Sequence, residues 1–167
     1  MTKTYVYAFE DNKSTPETIM LLGNKGAQLA EMSHAGIPVP PGFTATTEAC
    51  NEYYEIGKKW PEGLEEQVKA ELEKLEKKMD KKLGTGENPL FVSVRSGSYV
   101  SMPGMMDTVL NLGLTDKSVL GIAEKTGNER FAWDAYRRFM QMFGNVVMEM
   151  DAADFESKLE EVERKRC

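Results

Sequence analysis

The sequence predicts an α/β fold (α+β-like) in which a sheet is covered by amphipathic helices. Three observations lead there. Leu90 and Phe91-Val92-Ser93-Val94 make a short β-branched run, the composition of a strand. Leu64, Val68, Leu72, Leu75, Met79 and Leu83 recur at steps of three and four, which puts one apolar stripe on a helix. Proline and glycine clusters, such as Pro38, Pro40 and Pro41 after Gly36, cut the chain into short elements. With 167 residues and 41% hydrophobic content the chain can bury the core of one domain. No repeat, low-complexity linker or interior boundary interrupts it.

The elements follow in order. Tyr5 to Phe9 alternates weakly and reads as an edge strand, and Asp11 to Pro16 reads as a turn. After Gly23-Asn24-Lys25-Gly26 the pattern becomes helical through Ala27, Leu29, Ala30 and Met32, and Gly36 closes that helix. Phe43 to Thr46 is a short strand. Thr46 or Thr47 caps the next helix, with Ala49, Tyr53, Ile56 and the Cys50 thiol toward the core. Pro61 opens the striped helix, whose Glu65 to Lys69 and Glu73 to Lys77 pairs have favourable spacing. Gly84-Thr85-Gly86 ends it, and Phe91 to Val94 follows as an inner strand. Val109 to Leu112 is a second apolar run. Thr115 caps a helix over Lys117 to Lys125, and Gly127-Asn128 separates it from another over Glu129 to Met142. Gly144 to Met150 reads as extended, and Asp154 caps a last helix carrying Phe155, Leu159 and Val162.

The stretch with chemistry in it is FVSVRSGSYVSMPGMMDTVLNL, Phe91 to Leu112. A strand that delivers Arg95 and several hydroxyls to its end, then a Gly-containing loop, suits an anion. Arg offers a planar fork of donors to phosphate oxygens, and Gly97 and Gly104 let backbone approach a ligand. The competing reading is a strand-end arginine capping a carboxylate beside an ordinary turn. Lys25, in the first turn of a helix after glycine, adds a mobile positive charge where free N–H groups favour anions. The GxxxxGK[ST] spacing of a P-loop is absent.

Three blocks carry a family resemblance: LLGNKGAQLAEMSHAGIPVPPGFTATTEAC, VRSGSYVSMPGMMDTVLNLGL and GNERFAWDAYRRFMQMFGNVVMEM. Together they resemble the pyruvate, phosphate dikinases, in the N-terminal part of their ATP-grasp nucleotide-binding module. The likeness runs in register from about Tyr5 to Phe155. The related phosphoenolpyruvate synthases share the Gly-Lys and Val-Arg-Ser pieces but not the SMPGMMDT loop.

The resemblance implies phosphoryl transfer: ATP, phosphate and pyruvate to AMP, pyrophosphate and phosphoenolpyruvate, reversibly, through a phosphohistidine in another domain. It implies that Lys25 and Arg95 contact the ATP phosphates and act in catalysis. Ser96, Ser98 and Ser101 then supply hydroxyls, Met102 with Met105 and Met106 either shapes an adenine-facing or interdomain surface or packs within the loop, and Arg138 meets a phosphate or a structural carboxylate. Asp107 anchors the loop or pairs with an arginine, the alternative being an indirect contact to Mg2+. The family has Gly-Gly-Lys-Gly where this chain has Gly23-Asn24-Lys25-Gly26. Asn tolerates a left-handed backbone, so the turn is expected to survive. His34 is not the carrier histidine. ATP or AMP and Mg2+ are the implied cofactors, with metal ligands outside these residues. The implied partners are a swivelling phosphohistidine domain, a pyruvate-binding domain and a second copy of the intact enzyme. Residues 1–167 are expected to be a fragment of the nucleotide-binding domain, inactive alone. The alternatives are a non-catalytic nucleotide-binding or structural segment, and part of a phosphoenolpyruvate synthase-type dikinase.

Bulk properties narrow the remaining classes. A net charge of -6 argues against nucleic acid or an anionic membrane as partner. No apolar run approaches bilayer length, and MTKTYVYAFED lacks the character of a secretory signal. With one histidine and two cysteines, neither a histidine-rich metal site nor a disulfide framework is expected, and a cytoplasmic setting fits.

Overall fold

The computed structural model describes residues 3–11, 15–86, 88–98 and 107–165. Those residues gather into two compact units, 3–80 with 96–98 and 81–95 with 107–165. The architecture is mixed α and β. Instead of one covered sheet, the described strands make three separate two-stranded sheets.

The first unit begins with strand β1 (Val6–Ala8), antiparallel to β2 (Phe43–Ala45). Between them runs α1 (Pro16–His34), capped by Thr15, whose side chain accepts the Thr18 N–H. Pro16 therefore starts a helix, in the first-turn position where its missing N–H costs nothing, and does not end a turn. Gly36, at φ 73°, closes α1: its N–H reaches the Ser33 carbonyl, and Ile37 N–H reaches Met32. Helix α2 (Thr47–Glu55) is capped by buried Thr46, which accepts the Ala49 N–H at 3.2 Å. Helix α3 (Leu64–Met79) packs on β1. Tyr5, Val6, Ala49 and Leu64 form the core, with Phe43 and Val68 against it.

Other expectations fail in this unit: Ile56 lies at the C-cap of α2 and is 42% exposed, and α3 begins at Leu64 rather than Pro61. Cys50 is exposed, because the turn of α2 that brings Ala49 inward carries the next residue outward. The striped helix stops at Met79, where Asp80 takes a left-handed φ of 51°, so Leu83 lies outside it.

In the second unit, β3 (Lys82–Leu83) runs parallel to β4 (Pro89–Leu90), and β5 (Val92–Arg95) antiparallel to β6 (Thr108–Leu112). The second pair registers Val92 with Leu112 but Val94 with Val109, so β6 holds one extra residue there, and Asn111 takes a left-handed φ of 57°. Among the described residues β5 has β6 as its one partner, and Val94 is 49% exposed. It is not the inner strand its composition suggested; β-branched residues fit any pleated surface, covered or not.

Helix α4 (Asp116–Thr126) starts at the Thr115 capping box, and α5 (Glu129–Val146) at Asn128. Helix α5 lies against both α4 and β6. It continues through Gly144 to Val146, a stretch expected to be extended, and Gly144 stays helical where Phe155 packs on its bare Cα. Helix α6 (Ala152–Arg164) is capped by Asp151 rather than Asp154, its side chain accepting the Ala153 N–H. No helix among the described residues is long and apolar enough to cross a membrane.

Candidate functional site

Helix α1 contains one non-helical residue, Gly23, at φ 71° and ψ 166°. That region is open to glycine almost alone, so Gly23 splits the helix and leaves Asn24 and Lys25 in the first turn of its second piece. The expected turn can draw on the tolerance of Asn24 for a left-handed backbone. The structure gives that backbone to Gly23, and Asn24 is helical. Gly26, next along, packs on β2 so closely that a Cβ there would lie 2.9 Å from the Thr44 methyl.

The kink meets a distant piece of chain. Asn24 N–H donates to the Ser98 carbonyl at 3.0 Å, and the Lys25 ammonium donates to the Ser96 carbonyl at 3.0 Å. A Cβ on Gly23 would stand 3.3 Å from the Ser98 nitrogen and oxygen. Lys25 and Ser96 are 71 positions apart, so the fold makes this contact and local sequence does not. The partner of Lys25 is a neutral carbonyl, and no carboxylate pairs with it among the described residues. One of its three donors is thus engaged and its charge is uncompensated.

Arg95 belongs to the other unit, as the last residue of β5, where its backbone pairs with Thr108. Its side chain is exposed and has no hydrogen-bond or ion-pair partner among the described residues. A planar, permanently charged fork is therefore presented without a carboxylate to cap it. Among the described residues nothing lies within 4 Å of where a Cβ on Gly97 would stand, so open space borders its Cα.

Arg138, on α5, donates through Nε to Asp134 Oδ2 at 2.8 Å and is well exposed. Arg137 reaches the other oxygen of the same carboxylate at 3.0 Å and also Gln141 at 3.2 Å. The Arg137 hydrogen bond, with the charges of both arginines, holds the Asp134 carboxyl below its usual range against a smaller opposing effect of burial. Tyr136 donates to Asp116 Oδ1 at 2.8 Å, tying α5 to the start of α4. His34 is exposed in the last turn of α1. Ser101, Met102, Gly104, Met105 and Met106 lie outside the described residues. Among those described, no group of three or more His, Cys, Asp or Glu side chains is arranged to hold a metal ion.

Sequence reasoning found Lys25 and Arg95 as chemistry-bearing positions and missed Gly23 and the Asn24 amide. The available signal was a pair of glycines flanking Asn-Lys; which of the two breaks the helix depends on what packs against it.

Residues 19–75 match the family model described as pyruvate phosphate dikinase, AMP/ATP-binding domain. Curated relatives extend the similarity over nearly the whole chain. A pyruvate, phosphate dikinase of Entamoeba histolytica is 53% identical over 155 residues, which is 93% of this chain and 17% of that protein. One of Clostridium symbiosum is 50% identical over 162 residues, 97% of this chain and 18% of that protein. A chloroplastic pyruvate, phosphate dikinase of Oryza sativa is 55% identical over 161 residues, 95% of this chain and 17% of that protein. The chain thus spans less than a fifth of the length of these relatives.

Proposed function

Because the chain belongs to the pyruvate, phosphate dikinase family, matching its N-terminal part, we propose that it forms part of an ATP-binding domain of the ATP-grasp type. In the full-length enzyme that domain would take phosphate from ATP in the reversible conversion of ATP, phosphate and pyruvate to AMP, pyrophosphate and phosphoenolpyruvate. The observation that carries this reading is the Lys25 ammonium, held on the Ser96 carbonyl with its charge uncompensated.

Phosphoryl transfer asks a protein mainly to position the phosphates and neutralise their charge. Lys25 keeps two N–H donors beyond the one given to Ser96. Arg95 offers two parallel donors to one phosphate group, a geometry a point charge cannot copy. The hydroxyls of Ser96, Ser98 and Ser101 add neutral hydrogen bonds, and Met102 offers a flexible, polarisable side chain that can adapt to the flat adenine. Arg138 can turn from Asp134 to a phosphate without stranding the carboxylate, since Arg137 stays on it. The ligands of the magnesium ion that accompanies ATP are placed, in this reading, elsewhere in the enzyme.

In the same reading, the phosphohistidine and the pyruvate site lie outside residues 1–167. The partners are the domains that carry them and a second copy of the enzyme. The compartment is reducing cytoplasm, in keeping with the free, exposed Cys50 thiol.

The test is calorimetric titration of the 167-residue chain with ATP, beside Lys25→Met. A charge-assisted contact contributes about 1.5–3 kcal/mol, so Lys25→Met should weaken ATP about 10- to 100-fold. Equal affinity in the two proteins would remove Lys25 from the site. Absence of binding in the parent chain would leave the structural-segment alternative standing.

A further inference from the structure

We propose that Gly23 and the Asn24 amide are positioning residues: they clip the Ser96–Ser98 backbone against the kink of α1, so that the Ser96 carbonyl fixes the Lys25 ammonium. For its consequence in ATP recognition the inference rests on the nucleotide reading above, but the clip itself does not.

The geometry has three parts. Asn24 N–H donates to Ser98 O at 3.0 Å, and Lys25 Nζ donates to Ser96 O at 3.0 Å. Gly23 supplies the approach, because any side chain there would stand 3.3 Å from the Ser98 backbone and in a dihedral region reserved for glycine. A lysine side chain has four rotatable bonds, and fixing it costs rotamer entropy. A carbonyl that holds the ammonium beforehand meets that cost during folding, and an arriving phosphate then finds the charge in place. The carbonyl does not neutralise the lysine as a carboxylate would. Two donors remain for the ligand.

The clip can be cut without touching Lys25. Asn24 has helical dihedrals and follows the break, so it occupies a first-turn position where proline is tolerated. Asn24→Pro removes the amide donor, and Asn24→Ala removes the same side chain while keeping the amide. Comparing the two isolates the hydrogen bond to Ser98.

Two readouts decide the matter. In the ligand-free chain, acylation of lysines by an N-hydroxysuccinimide ester, read by peptide mass spectrometry with exposed Lys59 as internal reference, should modify Lys25 several-fold faster in Asn24→Pro than in Asn24→Ala. Gly23→Ala, which keeps the amide but puts a methyl against Ser98, should act in the same direction. Equal Lys25 rates in all three proteins would overturn the clip. In calorimetry, Asn24→Pro should bind ATP about 5-fold or more weakly than Asn24→Ala, and this difference should vanish when both also carry Lys25→Met. A difference that persists in full without Lys25 would mean that the amide acts through general folding, and the proposal would fall. If the parent chain binds no ATP, the proposed function fails, and labelling alone judges the clip.

Discussion

The Gln67 side-chain carbonyl accepts the backbone N–H of Tyr5 at 2.7 Å, and that of Val6 at 3.2 Å, while its amide donates to the Lys3 carbonyl at 2.9 Å. One side chain on α3 thus satisfies three backbone groups around the start of β1, where the chain would otherwise leave polar atoms beside the Tyr5, Val6 and Leu64 core. Gln67→Ala should destabilise the first unit by about 1–3 kcal/mol, the cost of stranding buried backbone donors. Gln67→Glu keeps the acceptor and loses the donor to Lys3, so its loss should be smaller. Thermal melting of the three proteins checks the order, and an unchanged midpoint for Gln67→Ala would mean that water replaces the side chain.

The second unit has a comparable group. Ser118 is fully buried in the first turn of α4; its hydroxyl accepts the Thr115 N–H at 2.8 Å and donates to the Gly113 carbonyl at 3.0 Å. Thr115 completes the box by accepting the Ser118 N–H at 3.1 Å. Ser118→Ala should cost about 1–3 kcal/mol, more than Thr115→Ser, which keeps a capping oxygen. Denaturant unfolding measures both, and a smaller loss for Ser118→Ala than for Thr115→Ser would contradict the assignment.

The comparison of sequence with structure turns on which contacts are local. Caps at Thr46 and Thr115, the glycine stop at Gly36 and the strand at Phe43 are legible because a helix end or turn is determined by a few neighbouring residues. The end of α3 was misplaced because the apolar spacing continues to Leu83, and only the left-handed Asp80 breaks it. The exposure of β5 and Cys50 depends on partners far along the chain, which no periodicity encodes. The same holds for Gly121, inside α4, whose bare Cα packs on the Gly86 carbonyl. At the candidate site, Lys25 and Arg95 stood out by residue type. The surroundings of Lys25, the Gly23 kink and the Ser96 and Ser98 carbonyls, belong to a pairing across 71 positions.

Alkaline pH should weaken the first unit through Tyr5. Its hydroxyl donates to Glu52 Oε2 at 2.7 Å, and that hydrogen bond, then burial and the Glu52 charge, push the phenol above its usual value near 10; Lys3 opposes them more weakly. The folded state therefore holds this proton more tightly than the unfolded chain does. Its contribution to stability is fully present below the unfolded phenol value and is lost as pH rises through the folded one. Melting curves taken across that alkaline window should fall more steeply for the parent chain than for Tyr5→Phe, which cannot ionise. Parallel curves would show that the Tyr5 proton is not linked to folding.

Arg95 separates the two readings of its strand end most sharply. Its guanidinium has no carboxylate partner among the described residues, which argues against a purely structural cap and leaves the fork available to phosphate. In a full-length dikinase carrying this segment, Arg95→Ala should slow phosphoryl transfer from ATP by about 100-fold, the scale for losing a donor that acts on developing charge. Arg95→Lys should recover little, because an ammonium cannot make two parallel bonds to one phosphate. The pyruvate half-reaction, started from preformed phosphoenzyme, should proceed nearly unchanged, because the proposed function puts its site in another part of the enzyme. Since, among the described residues, β5 pairs only with β6 and Arg95 is exposed, truncating the side chain should also leave the melting temperature nearly as it was. Measuring both half-reactions and the melting curve on the same mutant protein sets these effects apart. Equal losses in the two half-reactions together with a lowered midpoint would make Arg95 a structural strand-end residue and remove it from the phosphate site.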